Sequence, residues 1–139
     1  MLADLLATFD PTLPLERAHT LRGGFYTSTE VAEAERRAIF GVEWQCVGRV
    51  EQVAQPGQYL TCEVAGEPIV IVRGDDQVLR GFANVCRHRA ARVMAEPCGH
   101  ATKLRCRYHG WTYDLAGRLR GVPEWDGVED FRRDEQGSR

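Results

Sequence analysis

The chain has 139 residues, of which 43% are hydrophobic and 27% charged, with a net charge of −2; that length supports one core and not two ordinary domains. With acids and bases interspersed along it, the sequence has no basic tract of the kind that meets nucleic acid or lies on a membrane, and soluble protein partners are expected. Five cysteines, an odd number, two of them beside histidines, fit a reducing, cytoplasmic setting and metal chemistry better than a disulfide scaffold.

The first six residues are apolar but include Asp4 and lack a basic start and a small-residue cleavage site, so they do not read as a secretory signal. No run approaches the length of about eighteen apolar residues that spans a bilayer. A short helix is expected over 2–8, then an extended arm interrupted by Pro11, Pro14 and the adjacent Gly23 and Gly24. His19 lies on that arm with no second ligand nearby and reads as a solvated or capping side chain. Thr27 and Glu30 have capping-box spacing and predict a helix over 28–40. Val31, Ala34, Ala38 and Ile39 or Phe40 supply its apolar stripe, and Gly41 ends it.

From Trp44 the pattern changes to that of strands. Short runs over 45–50, 58–64, 68–73, 78–83, 103–106, 112–115 and 118–120 are rich in Val, Ile, Leu and Tyr and are bounded by Gly, Pro or Asp. Ala65 and Gly66, the segment 74–76, and Ala116 and Gly117 mark tight hairpins. Many short strands at this spacing predict a mainly β fold, an antiparallel sandwich or small barrel preceded by an N-terminal α-helix. Cys46 and Cys62 fall within strand-like runs and are expected to be small buried hydrophobes. Cys98 precedes Gly99 in an expected turn, and nothing gives it a role. The tail over 125–139 is of mixed charge with no apolar run, and it reads as a linker or a frayed end.

Two short segments carry the chemistry. Cys86, Arg87 and His88 are followed after seventeen residues by Cys106, Arg107, Tyr108 and His109. Each segment offers one thiolate and one imidazole, and two such loops facing each other supply the Cys₂His₂ set of a binuclear iron–sulfur centre in which His₂ replaces Cys₂ on one iron. If each iron takes a ligand from each loop, Cys86 and Cys106 hold one iron and His88 and His109 the other. Imidazole makes such a centre less negative and easier to reduce, which implies one-electron relay. Backbone amides at Gly99 and Gly110 are candidates for hydrogen bonds to the cluster sulfides. A structural zinc site is the alternative use of the same donors, although zinc modules usually pair Cys with Cys and His with His at short spacing. Arg87, Arg89, Arg92, Arg105 and Arg107 crowd the same loops, either as a solvated rim or as a docking surface for an acidic electron donor.

The segment from Cys86 to Arg89 together with that from Cys106 through Gly110 to Trp111 resembles the Rieske domain of ring-hydroxylating oxygenase α subunits, the Rieske non-haem iron oxygenases. The likeness extends over about residues 20–125, taking in the 27–40 helix, the run from Trp44 to Arg49 and the strand after the second loop. It implies one 2Fe-2S cluster per chain on Cys86, His88, Cys106 and His109. The helix favours an oxygenase subunit over a stand-alone Rieske ferredoxin, which remains the alternative reading, with a zinc-stapled interaction module as a third. Respiratory-type Rieske subunits carry an extra Cys in each loop; Ala91 and Tyr108 stand there instead, which excludes that subgroup. Ala90 occupies a position where the family usually has Gly.

By the resemblance, residues 1–43 are an arm and helix, 44–124 the Rieske domain, and 125–139 the start of a linker to a catalytic domain. In the family that domain holds a mononuclear iron on two His and a carboxylate, where O₂ is activated. Once His88 and His109 are assigned only His19 and His100 remain, so that iron and the mono- or dioxygenase reaction are expected outside this chain, and no catalytic residue is assigned within it. The implied partners are a reductase or ferredoxin that donates electrons and a catalytic domain, in the family one in a neighbouring subunit of a trimer.

Overall fold

The computed structural model describes residues 2–124, 129–132 and 135, so most of the tail expected over 125–139 lies outside the described residues. The chain divides into two compact units, Met1–Gln45 and Cys46–Arg139.

The first unit is helical. It contains α1 (Leu2–Leu6), α2 (Gly24–Thr27) and α3 (Thr29–Glu35), the last continuing into a wider turn over Arg36–Phe40. The cap of α3 lies one residue later than the sequence spacing suggests. Thr27 closes α2, its hydroxyl donating to the Gly23 carbonyl, while Ser28 takes extended dihedrals and accepts the Val31 amide. Past Glu35 the Gly41 amide reaches back to the Arg36 carbonyl at 2.9 Å. That wider turn breaks the 3.6-residue spacing that would align Ile39 or Phe40 with Val31. Val31 is accordingly buried, and Ile39 and Phe40 are exposed. Glu33 pairs with both Arg36 and Arg37, whose guanidinium groups hold its carboxyl down to about 2.

The second unit is two antiparallel sheets. One has the order β3-β2-β1-β4, from β1 (Gln58–Val64), β2 (Glu67–Arg73), β3 (Leu79–Ala83) and β4 (Cys98–His100). The other has the order β5-β6-β7, from β5 (Leu104–Arg105), β6 (Thr112–Tyr113) and β7 (Leu119–Gly121). Alternation along β1 and β2 sets the register, with Leu60 opposite Ile71 and Thr61 opposite Val70. The hairpin between them turns at Ala65 and Gly66, both at positive φ, as a two-residue turn matched to strand twist requires.

Two sequence expectations change here. The run over 45–50 is not a strand: the Arg49 amide donates to the Gln52 side chain at 2.7 Å, starting a 3-10 turn at Val50–Val53 instead of entering a ladder. Cys46, which that strand was to bury, is exposed, while Cys62 is half-buried opposite Ile69. Cys98 and Gly99, expected in a turn, lie in β4, where Gly99 faces Tyr59 across the ladder. A Cβ on Gly99 would stand 3.0 Å from the Tyr59 hydroxyl, so the glycine marks a close approach between strands and not a turn.

One apolar cluster joins the two sheets. It includes Tyr59, Val70, Val72 and Phe82 from the first sheet and Leu104, Tyr113 and Leu119 from the second, and both Cys86 and Cys106 belong to it. Each fully buried Val or Leu in such a cluster contributes about 1.5–3 kcal/mol. The segments that carry the four candidate ligands therefore start from the packed core. Among the described residues, no helix is long and apolar enough to cross a membrane.

Candidate metal centre

The two ligand segments are equivalent loops. The first is closed at its base by a bridge between Val85 and Arg92, the second by the pairing of Arg105 with Thr112. Each excursion begins with the cysteine. The Cys86 amide donates to the Ala91 carbonyl at 2.8 Å and the Ala90 amide returns to the Cys86 carbonyl at 2.9 Å. In the second loop the Cys106 amide donates to the Trp111 carbonyl at 2.9 Å and the Gly110 amide to the Cys106 carbonyl at 3.0 Å. The fifth residue takes a left-handed conformation in both, φ +54° at Ala90 and +73° at Gly110. Alignment on this frame puts His88 third in its loop and His109 fourth in the other.

The Gly110 amide is consumed in that closure, and Gly99 sits in β4, so neither is free to serve a cluster sulfide in the manner expected from sequence. The frame also explains the departure at position 90. A non-glycine residue at left-handed dihedrals costs about 1–2 kcal/mol, partly offset by the smaller unfolded-state entropy of alanine. Ala90→Gly should therefore stabilise the domain by about 0.5–1 kcal/mol in urea unfolding. Gly110→Ala should destabilise it, because its Cβ would meet Pro123 at 3.0 Å as well. Equal and opposite-to-expected shifts in the pair would contradict the frame.

The loops bring the donors together as two pairs. Cys86 and Cys106 are each 2% exposed and belong to the same core cluster. His88 and His109 are exposed, with ring centroids 4.7 Å apart and an edge-to-face angle of 70°. His88, Cys106 and His109 line one surface cavity. A deep thiol pair and an outer imidazole pair are the kind of donor set that a binuclear Cys₂His₂ centre uses, and these residues fit it. His19 and His100 lie outside both loops: His19 is exposed on the N-terminal arm and His100 stands opposite Gln58 in the β1 and β4 pair.

The surroundings hold each donor in place. Trp111, buried, stacks on His88 with centroids 5.0 Å apart and planes 7° from parallel. The ring of Tyr108 covers His109 at 3.7 Å. Loss of hydration, then the nearby His109 and Arg89, lower the His88 pKa, so the neutral imidazole that ligates metal is favoured. Burial pushes the Cys86 thiol up; the His88 amide and the Tyr113 hydroxyl work against that, and Cys106 adds to it.

Two residues that matter to the site were not singled out in the sequence. Tyr113 places its hydroxyl 3.5 Å from Cys86 Sγ while accepting the Arg87 amide at 3.1 Å. Either atom could donate in that contact, but a thiolate holding metal could only accept, and the Tyr113 O–H would then be the donor. Burial and then the contact with Cys86 raise the Tyr113 pKa and keep that proton in place. Asn84, 1% exposed, donates from Nδ2 to the Met94 carbonyl at 2.7 Å and accepts the Met94 amide at 2.8 Å. It pins the strand that leaves for the first loop to the chain that returns from it.

A family model described as the Rieske [2Fe-2S] domain matches residues 43–132. The chain is 44% identical over 110 residues to the carnitine monooxygenase oxygenase subunit of Acinetobacter baumannii, covering 79% of this chain and 30% of that protein. It is 35% identical over 121 residues to the benzene 1,2-dioxygenase α subunit of Pseudomonas putida, covering 87% of this chain and 26% of that one. The apo form of a quaternary ammonium Rieske monooxygenase superposes with a TM-score of 0.80 at 43% identity, over 87% of this chain and 35% of the other. The chain thus spans about 30% of the length of the curated relatives it matches.

Proposed function

The chain belongs to the Rieske [2Fe-2S] domain family, and from that premise we propose that Cys86 and Cys106 hold one iron of its cluster and His88 and His109 the other. When bound, such a cluster supplies one-electron storage at roughly −150 to +300 mV, well above all-thiolate plant-type centres at about −400 mV. The relatives matched over most of this chain are oxygenase α subunits, so the domain is the Rieske portion of such a subunit. Its electrons come from a reductase or ferredoxin, and their destination is a mononuclear non-haem iron of a catalytic domain, in the same or a neighbouring subunit, that hydroxylates substrate with O₂. The setting is the cytoplasm.

The observation that carries the ligand assignment is the separation of the donors by depth: both thiols in the core, both imidazoles at the surface. The chain's own residues then divide the work. Cys86 and Cys106 anchor metal to the rigid sheets; Tyr113 donates a hydrogen bond to the Cys86 sulfur; Trp111 and Tyr108 fix the two rings; and the exposed imidazole edges give a redox partner its shortest approach. The test is absorption and low-temperature EPR of the purified chain before and after one-electron reduction, with metal analysis. A red-brown protein with two irons per chain and a signal only when reduced is expected. A colourless, EPR-silent protein with stoichiometric zinc would end the reading.

A further inference from the structure

We propose that Phe131, in the segment that follows β7, is a positioning residue for the outer imidazole pair: it holds Trp111 flat against His88 and limits the water that reaches the two rings. Resting on the ligand assignment above, this adds to the site a residue that lies outside both loops.

After β7 the chain stays against the second loop. Pro123 packs on it so closely that a Cβ on Gly110 would stand 3.0 Å from the proline Cγ. Phe131 returns to the same region. Its neighbours Asp130 and Arg132 are exposed, Asp130 at a left-handed φ of +58°, while the Phe131 ring is half-buried against the core cluster. Burial of an aromatic ring favours that return.

The contact it makes leads to the candidate ligands. Phe131 meets Trp111 edge to face, with centroids 5.7 Å apart and planes at 87°. Trp111 lies flat on His88 at 5.0 Å, and His88 meets His109 edge-on at 4.7 Å. Four rings in contact thus join the segment after β7 to both imidazoles. An edge-to-face pair is favoured beyond the area it buries, so loss of the Phe131 ring frees Trp111 to tilt away from His88.

The same segment also shields the site. Pro123, Glu124 and Phe131 line the cavity that His88 and His109 line as well, and Trp111, which shares it, is 8% exposed. Solvent access is one of the quantities that set the potential of an iron–sulfur centre. The sign follows from charge. With two sulfides, two thiolates and two neutral imidazoles, a diferric centre is uncharged, and its reduced form carries one negative charge. Water stabilises the charged form, so shielding by Phe131 holds the potential down.

The test uses the full chain loaded with its cluster. Two ringless variants, Phe131→Leu and Phe131→Met, keep apolar bulk, and Phe131→Tyr keeps the ring. Leu119→Ala is the control for lost stability, since Leu119 belongs to the same core at 5% exposure and does not line the cavity. Each ringless variant should raise the potential in an EPR-monitored titration, change the imidazole-nitrogen couplings seen by pulsed EPR, and speed cluster release to a chelator about fivefold. Phe131→Tyr should return all three to wild-type values. Leu119→Ala should lower Tm and leave potential and couplings unchanged. Wild-type potential and couplings in the ringless variants would overturn the positioning role, as would an equal shift in Leu119→Ala or a failure of Phe131→Tyr to restore them. The reduced wild-type signal separates two failures: with the signal present, unmoved ringless variants sink the role of Phe131 alone, whereas a missing signal sinks the ligand assignment with it.

Discussion

Replacing His109 with cysteine should lower the reduction potential of the loaded chain by on the order of 100–300 mV. The estimate follows from the span between Rieske centres and all-thiolate centres, about 250–700 mV for two imidazoles, so one exchange accounts for roughly half. The physical cause is charge. A thiolate adds a negative charge beside iron where imidazole adds none, and that charge favours the oxidised, less electron-rich state. The position suits the exchange, since His109 is exposed and its loop is closed by backbone hydrogen bonds from Cys106 and Gly110 that do not involve its side chain. The measurement is an EPR-monitored redox titration of the variant beside the wild type. An unchanged potential with an unchanged spectrum would show that His109 is not a ligand. Cys106→Ser supplies the complementary result: removing a donor that is 2% exposed and part of the core should abolish loading altogether.

The strands β1, β2 and β3 were legible within one residue at most boundaries, because alternation against a buried face leaves a strong period-two signal and the hairpins carry their own turn residues. The four candidate ligands stand out in the sequence because Cys and His at such spacings serve few other purposes. What the sequence hid has physical reasons. Strand β4 is three residues long, with a glycine at its centre required by Tyr59, and so lacks any apolar alternation. The 45–50 run has strand composition, but the Gln52 side chain captures the Arg49 amide before a ladder can form. The α3 cap moved by one residue because Thr27 and Ser28 are both competent caps, and only the preceding turn at Gly24–Thr27 selects between them. The equivalence of the two loops was obscured by the displaced histidine, third in one and fourth in the other. A comparison of Cys86 with Ala90 and of Cys106 with Gly110 would have exposed it. Tyr113 and Asn84 stayed hidden because each acts through a partner far along the chain or by a backbone contact, and neither leaves a motif.

Asn84→Ala should destabilise the domain by about 3 kcal/mol and release the cluster faster than any surface substitution. Two hydrogen bonds are lost, and the loss is asymmetric: the Met94 amide and carbonyl both keep their polarity and lose their partner. Each unsatisfied group costs about 1–3 kcal/mol when it is shielded from water. The domain is expected to have about 5–15 kcal/mol in all, so the change is a large share of it and should appear as a fall in Tm of roughly 15 °C. Its effect concentrates on the first loop, because the Asn84 backbone accepts from Val93 and the Val85 bridge to Arg92 lies directly beyond it. Asn84→Asp separates the geometry from the charge. It retains an acceptor for the Met94 amide but turns a carboxylate toward the Met94 carbonyl in a site 1% exposed. Burial raises the folded-state pKa of such a carboxyl, since the charged form is disfavoured there. The unfolded chain then gives up its proton more readily than the folded one, so this variant should lose stability as pH rises from the unfolded value near 4 and regain it on acidification. Thermal unfolding by circular dichroism across pH, with cluster release followed in the visible, reads both effects. An alanine variant within about 0.5 kcal/mol of wild type, the scatter of ordinary surface changes, would show that Asn84 does not hold the loop.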